Sequence, residues 1–570
     1  MYFNSNGQEE VTYDAIVVGS GISGGWAAKE LCEKGLKTLV LERGRDVKHG
    51  DYPTAGLDPW DLDYRDQVLP EELKDYEKQS RTGYTVRQSS KHWFVKDTEH
   101  PYSEVKRFDW MRGYHVGGRS LMWGRQSYRL ADLDFEANAK DGIAVDWPVR
   151  YADLAPWYDY VEKFAGISGS KDGIPHLPDG QFLPPMELNC LEQHVKGAIE
   201  SNFKNRYMVI GRTANLTQAH NGRGSCQFRN RCIRGCPYGA YFSSNAATLP
   251  AAAATGNMTL RPHSIVHSII YDPATRKAKG VRIIDAQTRE TKEFFAKVIF
   301  LCASALATTQ ILLQSKSGAF PTGLGNSSGQ LGHNLMDHHF RCGASGISDD
   351  FGDKYYSGRR PNGIYIPRFV NLGDKESERK DYLRGWGYQG GAGRDGWSTT
   401  VPEMKIGVGK EFKDKLLQPG PWTMGITAFA ECLPYYENQV TLNEEVRDMY
   451  GLPTLTIDCE FKDNEMRMRK DMMNDAAEML EAAGLKNVET WDAGSWPGLG
   501  IHEMGTARMG RDPKSSVLNG YNQMHDVKNI FVTDGACMTS AACQNPSLTY
   551  MALTARAADF AVNELKKMNL

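Results

Sequence analysis

The segment Gly19-Ser20-Gly21-Ile22-Ser23-Gly24 constrains this chain more than any other. It follows an apolar run, Tyr13–Val18, that reads as a strand, and it opens a stretch from about Ser23 to Lys34 that reads as a helix. A second strand is expected over Lys37–Glu42, ending on an acidic residue. In such a βαβ unit Gly19 permits a tight turn, Gly21 lets a pyrophosphate reach the backbone, and Gly24 lets the helix close on the strand. The helix N-terminus favours the anion, and Glu42 accepts hydrogen bonds from a ribose. A dinucleotide-binding α/β domain is therefore expected at the start of the chain. The fingerprint alone does not separate FAD from NAD.

The 570 residues leave room for more than one domain. With 41% hydrophobic and 24% charged residues the chain is of ordinary globular composition. The 67 basic residues against 70 acidic ones argue against a broadly basic nucleic-acid binder. No apolar run is long enough to span a membrane. The stretch from Gly50 to Lys106, irregular and interrupted by Pro53, Pro59, Pro70 and Pro101, reads as an inserted cover. Strand-like runs at Met258–Ile270, Ala278–Asp285 and Val298–Cys302 suggest a small antiparallel element that returns to the first sheet. From about Cys342 to Thr490 β-rich stretches, including Trp422–Leu433 and Gln439–Leu442, lead into a helix near Asn464–Ala483. A final strand, Asn529–Thr533, and a closing helix, Pro546–Lys566, complete the pattern.

Four further segments carry chemistry: Gly117-Gly118-Arg119-Ser120; Gly332-His333-Asn334-Leu335-Met336-Asp337-His338; His502-Glu503-Met504-Gly505-Thr506; and Asp534-Gly535 followed by Asn545-Pro546-Ser547-Leu548-Thr549. Together with the opening fingerprint, and in this order, they resemble the glucose–methanol–choline (GMC) family of FAD oxidoreductases. The resemblance implies an α/β fold, α+β overall, in which a Rossmann-like FAD-binding domain is interleaved with a β-sheet substrate-binding domain. The expected division is 1–50, 105–160, 190–340 and 495–570 for FAD, 51–104 for the cover, and 161–189 with 341–494 for substrate. It further implies that Gly117, Gly118 and Ser120 line the flavin and pyrophosphate, that Asp534 and Gly535 meet the phosphate and ribityl chain, and that Val266 approaches the adenine. Arg43, Asn545 and Ser547 join this cofactor set. Related pyranose oxidases tether the flavin through a histidine where this chain has Met122, so non-covalent FAD is expected.

His502 and Asn545 are the expected catalytic pair. Oxidising an alcohol to a ketone removes a hydroxyl proton while hydride passes to the flavin; a neutral imidazole suits the proton, and an amide can hold the same oxygen. His338 and His339 are assigned to structure. Most of Trp93, Trp110, Trp147, Trp157 and Trp422 are expected in the core, although such rings also stack on sugars. Glu431 either meets a substrate hydroxyl or forms a structural ion pair.

Cys226, Cys232 and Cys236 fall in an Arg-rich loop over 225–239, with Arg229, Arg231 and Arg234 placed to offset negative charge. Three thiolates without a nearby fourth fit a three-ligand iron–sulfur cluster. A disulfide with a free thiol, or zinc completed by His220, are the alternatives. The C-x5-C-x3-C-P pattern resembles the large subunits of bacterial sugar dehydrogenases in the same family, and there it implies a 3Fe-4S cluster. The resemblance thus implies oxidation of a sugar or glycoside hydroxyl, closest to glucoside 3-dehydrogenases, with a small subunit and a cytochrome or quinone-linked acceptor as partners. Without a signal of its own, such a chain is expected to reach a bacterial periplasm by co-export with its partner. Gluconate, fructose and glucose dehydrogenases or a pyranose-oxidase-like oxidase are the enzymatic alternatives, and an electron-transfer or assembly subunit is the non-enzymatic one.

Overall fold

A long strand, β8 (Thr291–Leu301), organises the first of three sheets. On one side it pairs in parallel with β1 (Thr12–Val18), which pairs with β2 (Thr38–Leu41) and through it with β5 (Met258–Arg261). On the other side its first half pairs antiparallel with β7 (Lys277–Asp285), itself paired with β6 (Ser264–Asp272), and its last residues pair in parallel with β16 (Ile530–Val532). The computed structural model describes residues 12–356, 360–394, 409–417 and 419–570. Residues 1–11 of the expected nucleotide domain and 357–359, 395–408 and 418 of the expected substrate domain lie outside them.

The central strands alternate with period two but are buried on both faces, as parallel strands covered on both sides are. Ala15, Val17, Val40, Val298 and Phe300 pack beneath the helices Ile22–Glu33 and Ser547–Lys566, while Ile16, Val18, Leu39, Leu41 and Ile299 face the larger core. Small residues let the helix approach: a Cβ on Gly24 would sit 1.9 Å from the Gly19 carbonyl oxygen. The expected run Met258–Ile270 is two strands, broken at Pro262-His263, where His263 has a φ of 56°. β5 extends the parallel edge, and only β6 belongs to the antiparallel part.

The second sheet is antiparallel, in the order β15 (Lys486–Asp492), β9 (Cys342–Ser348), β12 (Trp422–Ala430), β11 (Trp386–Arg394), β10 (Ile364–Ile366), β4 (Val209–Ile210). Its two faces divide the work. Trp422, Met424, Ile426, Ala428 and Tyr388 meet the helices Cys190–Asn202 and Asp463–Ala482 in a second core, leaving Gln389 and Phe429 on the opposite face. The helix Cys190–Asn202 and β4 therefore pack with this sheet, although the expected division put 190–340 with the first. Conversely, β13 (Gln439–Arg447) and β14 (Pro453–Asp458) pair with β3 (Ser103–Glu104) in a small third sheet whose Val440, Leu455 and Ile457 join the first core. The cover region is mostly 3-10 turns, with Trp93 buried. Among the described residues no helix is long and apolar enough to cross a membrane.

Gly24→Ala should force the first helix off its strand, since the new methyl meets backbone and not a movable side chain. A loss of about 1–3 kcal/mol is expected, seen as a lower thermal midpoint; an unchanged midpoint would contradict this close packing.

Candidate active site

A cavity of about 540 Å³ is bordered by the glycine turn, the end of β2, the segment after Gly117, and the loops carrying His502, Asp534 and Asn545. Of the expected cofactor residues Gly19, Gly21, Glu42, Arg43, Gly118, Ser120, Val266, Asp534, Gly535, Asn545 and Ser547 reach it, and Met122 does too. Gly24 and Gly117 serve from behind the wall: Gly24 closes the helix, and Gly117 donates its N–H to Ser20 Oγ at 2.9 Å with a φ of 89°.

The walls fit a dinucleotide. A Cβ on Gly21 would meet nothing within 4 Å, so the turn offers bare backbone to the cavity. The helix that follows has neither a side-chain cap nor an acidic residue in its first turn, leaving its N–H groups and positive end for an anion. Glu42 is buried and accepts from Ser20 N (3.1 Å), Ser20 Oγ (2.5 Å) and Gly44 N (2.8 Å). A carboxylate has about four acceptor sites, so one remains for a ribose hydroxyl. Burial pushes its pKa up and these hydrogen bonds oppose that rise. Asp534 accepts from Thr308 Oγ1 (2.5 Å) and Ala536 N (3.0 Å), and burial pushes it up to about 6. Arg43 lies over the Tyr114 ring at 4.3 Å and pairs with Asp448 at 2.9 Å.

A directional chain of hydrogen bonds runs past the cavity. His338 Nε2 is 2.9 Å from the Ala542 carbonyl oxygen, His338 Nδ1 is 2.9 Å from His502 Nδ1, and His502 Nε2 is 3.5 Å from Asn545 Nδ2. Burial pulls the His338 pKa down to about 4, so the ring is neutral and carries one hydrogen. That hydrogen must be on Nε2, because a carbonyl can only accept. The bare Nδ1 then accepts from His502 Nδ1–H. Burial, then His338 and Arg119, hold the His502 pKa well below its ordinary value, so this ring is also neutral. Its Nε2 is consequently a bare acceptor beside the Asn545 amide and the cavity, the state a general base requires.

The backbone around His502 is held in place. Asp337 accepts from Gly500 N (2.8 Å) and His502 N (3.0 Å), straddling Ile501, whose φ of 59° is strained for a β-branched residue. Burial and then Glu503 push the Asp337 pKa up to about 7. Arg119 grips Glu503 through two bonds of 3.0 and 2.8 Å, beside the histidine.

Family models described as GMC oxidoreductase match residues 13–340 and 434–554. The chain belongs to the GMC oxidoreductase family. It is 29% identical to a 2-methyl-1,2-propanediol dehydrogenase of Mycolicibacterium austroafricanum, over 96% of this chain and 94% of that protein. It is 24% identical to the fructose dehydrogenase large subunit of Gluconobacter japonicus, over 98% and 99%, and 26% identical to a paromamine 6'-oxidase of Streptomyces fradiae, over 98% and 92%. A formate oxidase of Aspergillus oryzae shares the fold, with a TM-score of 0.62 at 15% identity over 99% of this chain and 100% of that one.

Two residues in this GMC oxidoreductase have partners that the sequence does not show. His338, expected to be structural, bonds directly to the expected base; no spacing in the sequence shows that a loop 164 residues away would meet it. Glu431 stays away from the cavity, buried in an ion pair with Arg384 at 3.3 Å, so its structural alternative is the one the geometry fits. Arg384 also pairs with Asp141 at 2.7 Å. Gln389 was missed altogether, and a lone amide in the strand Trp386–Arg394 was the one available signal.

Cys226, Cys232 and Cys236 are half-buried free thiols. Burial raises the Cys226 pKa, and the charges of Cys232 and Cys236 add to that. Among the described residues no three His, Cys, Asp or Glu side chains are close enough to hold a single metal ion. His220 Nε2 lies 2.7 Å from the Lys163 carbonyl, so that ring nitrogen is engaged by backbone. The arginines expected to balance charge clamp the loop instead: Arg229 to Ala55 O, Arg231 to Gly56 O and Asp58, Arg234 to Leu57 O. Ile233, inside the loop, borders the cavity.

The low His502 pKa sets a pH dependence. As the expected base His502 would act unprotonated, and a pKa below 6.5 keeps it so down through that pH. The rate of alcohol oxidation under substrate saturation should stay level from pH 8 to 6.5 and fall only below; an acid limb centred above 6.5 would contradict the neutral imidazole pair.

Proposed function

We propose that this GMC oxidoreductase is a FAD-dependent dehydrogenase that oxidises a secondary hydroxyl of a sugar or glycoside, the C3 hydroxyl of glucosides in the first instance. The observation that carries the reading is the bare Nε2 of His502 facing the Asn545 amide at 3.5 Å, on the wall of a cavity suited to a dinucleotide. One acceptor and one donor side by side on the cavity wall match an alcohol, which can take both bonds at once. Its O–H donates to His502 Nε2 while its oxygen accepts from Asn545 Nδ2. As the proton moves to His502, the amide hydrogen bond stabilises the charge left on oxygen. The imidazolium is supported by its neighbours: its Nδ1–H still donates to His338. FAD, when bound, supplies the hydride acceptor.

Aromatic rings on the wall suit a substrate with an apolar face, as a sugar ring has. Phe340 and Phe429 are stacked at 4.9 Å, and with Trp110 and Tyr84 they border the cavity. The fructose dehydrogenase and paromamine oxidase names among the relatives point the same way. A small diol is the second reading, favoured by the 29% identical propanediol dehydrogenase. The cysteine loop is proposed to hold the iron–sulfur cluster, which would take electrons singly toward an external acceptor; the unpaired thiols and the position of Ile233 on the cavity wall support that placement. A small subunit is the proposed partner, in keeping with the relative named a large subunit.

Anaerobic addition of methyl glucoside should bleach the flavin absorption of the purified protein, and His502→Ala should slow that bleaching by about 10²- to 10⁴-fold with flavin still bound. Bleaching by a diol and not by glycosides would move the substrate to the second reading, and near-normal rates in His502→Ala would remove that residue from the mechanism. Acid precipitation should release the flavin into solution, since Met122 offers no histidine linkage. Cys232→Ser should lose iron and keep substrate-driven bleaching; unchanged iron content would defeat the cluster.

A further inference from the structure

Asn545 can help an alcohol only if its NH₂ end, and not its carbonyl, faces the reacting oxygen. An amide is nearly symmetric in shape, so something must choose between the two orientations. The bare Nε2 of His502 favours the NH₂ end, but at 3.5 Å that bond is long, and an incoming hydroxyl takes its place. The shorter contact is on the other side: Gln389 Nε2 donates to Asn545 Oδ1 at 2.6 Å. Gln389 is held where it can do this. Its strand β11 is paired on both sides, opposite Tyr365 of β10 and Thr427 of β12. Its neighbour Tyr388 is anchored beneath the sheet, donating to Met472 O at 2.7 Å. The amide side chain thereby crosses from the second sheet to the loop before the closing helix.

We infer that Gln389 is a positioning residue for this oxidation: by holding Asn545 Oδ1, it presents Asn545 Nδ2 to the substrate oxygen, so that the second sheet sets the polarity of the catalytic pair. The inference rests on the proposed roles of His502 and Asn545. It separates orientation from packing, because a replacement of the same shape and opposite hydrogen-bonding sense should do more harm than truncation. In Gln389→Glu the ionised carboxylate can only accept. Asn545 then turns its NH₂ group toward Glu, and its carbonyl faces the substrate oxygen alongside His502 Nε2. In Gln389→Ala the amide of Asn545 is left to rotate and still finds the productive orientation part of the time. Protonation of the introduced Glu restores a donor.

The experiment is anaerobic stopped-flow reduction of the bound flavin by the alcohol that reduces the wild type, across pH, with flavin content checked in each variant. The expected result at high pH is a limiting rate about 10²-fold below wild type for Gln389→Glu, a smaller loss for Gln389→Ala, and a modest change in the half-saturating substrate concentration for both. As pH falls through the carboxyl's pKa the Glu variant should recover relative to wild type while the Ala variant does not. Because a Glu kept protonated by its surroundings would mimic Gln, Gln389→Met is measured as well; having similar bulk and no donor, it should lose about tenfold or more in limiting rate. A Glu variant milder than Ala with no recovery at low pH, or Glu and Met variants both within threefold of wild type throughout, would overturn the inference. Failure of every alcohol to reduce the wild-type flavin is a different result: it would overturn the proposed function, and this inference with it.

Discussion

Two imidazole nitrogens 2.9 Å apart can share one hydrogen, and neither two nor none will serve. That rule, applied between His338 and His502, propagates in both directions. Toward the protein it requires that His338 carry its hydrogen on the side of the Ala542 carbonyl, which is where an acceptor stands. Toward the cavity it leaves His502 Nε2 without a hydrogen, which is where the proposed chemistry needs a base. Burial enforces the arrangement by keeping both rings neutral, since a second hydrogen would put a charge into a site that does not solvate it.

The backbone bears a cost for this order. Ile501 and Ala542 both have left-handed φ values, of 59° and 58°, at positions where glycine would be unstrained. Such conformations cost on the order of 1–3 kcal/mol each. Ile501 lies just before the base, and Ala542 supplies the carbonyl that starts the chain. Asp337 offsets the first by accepting from the N–H groups on either side of it. Burial and then Glu503 raise the pKa of this carboxyl, and the backbone N–H groups that it accepts from oppose the rise. Strain concentrated at the catalytic loop and resisted by a buried acceptor is a way to fix an imidazole within tenths of an ångström.

The sequence disclosed the nucleotide half of the molecule well because its constraints are local. A turn, a helix N-terminus and an acidic strand end lie within 24 residues, from Gly19 to Glu42, the first two acting through backbone and the last through the carboxylate of Glu42. His502 and Asn545 were legible through a resemblance of ordered segments. What the sequence does not show is which distant side chains meet. The bond from His338 to His502 depends on where a loop 164 residues away lands, and the two readings of Glu431 stay open until Arg384, 47 residues away, is placed beside it. The helix Cys190–Asn202 carries an apolar face that either sheet could have covered; its contacts with the helix Asp463–Ala482 and the strands Trp386–Arg394 and Trp422–Ala430 place it with the second. The break at Pro262-His263 was visible as residues, yet the pairing of Met258–Arg261 with β2, and not with its neighbour in sequence, is a property of the sheet.

The two sheets thus divide the chemistry along the cavity. The first supplies the glycine turn, Glu42 and the strand Ile530–Val532 that leads into Asp534 and Asn545, while His502 lies on the connection from the second sheet's β15 to that strand. The second presents Gln389 and Phe429 from the face opposite its own helices. On the proposed function, Gln389 makes changes to that face consequential for rate as well as fit, since its bond to Asn545 joins the second sheet to the proposed catalytic pair. Residues on β11 and β12 that shift this strand by a few tenths of an ångström would therefore alter the limiting rate through the amide orientation before they altered the shape of the cavity.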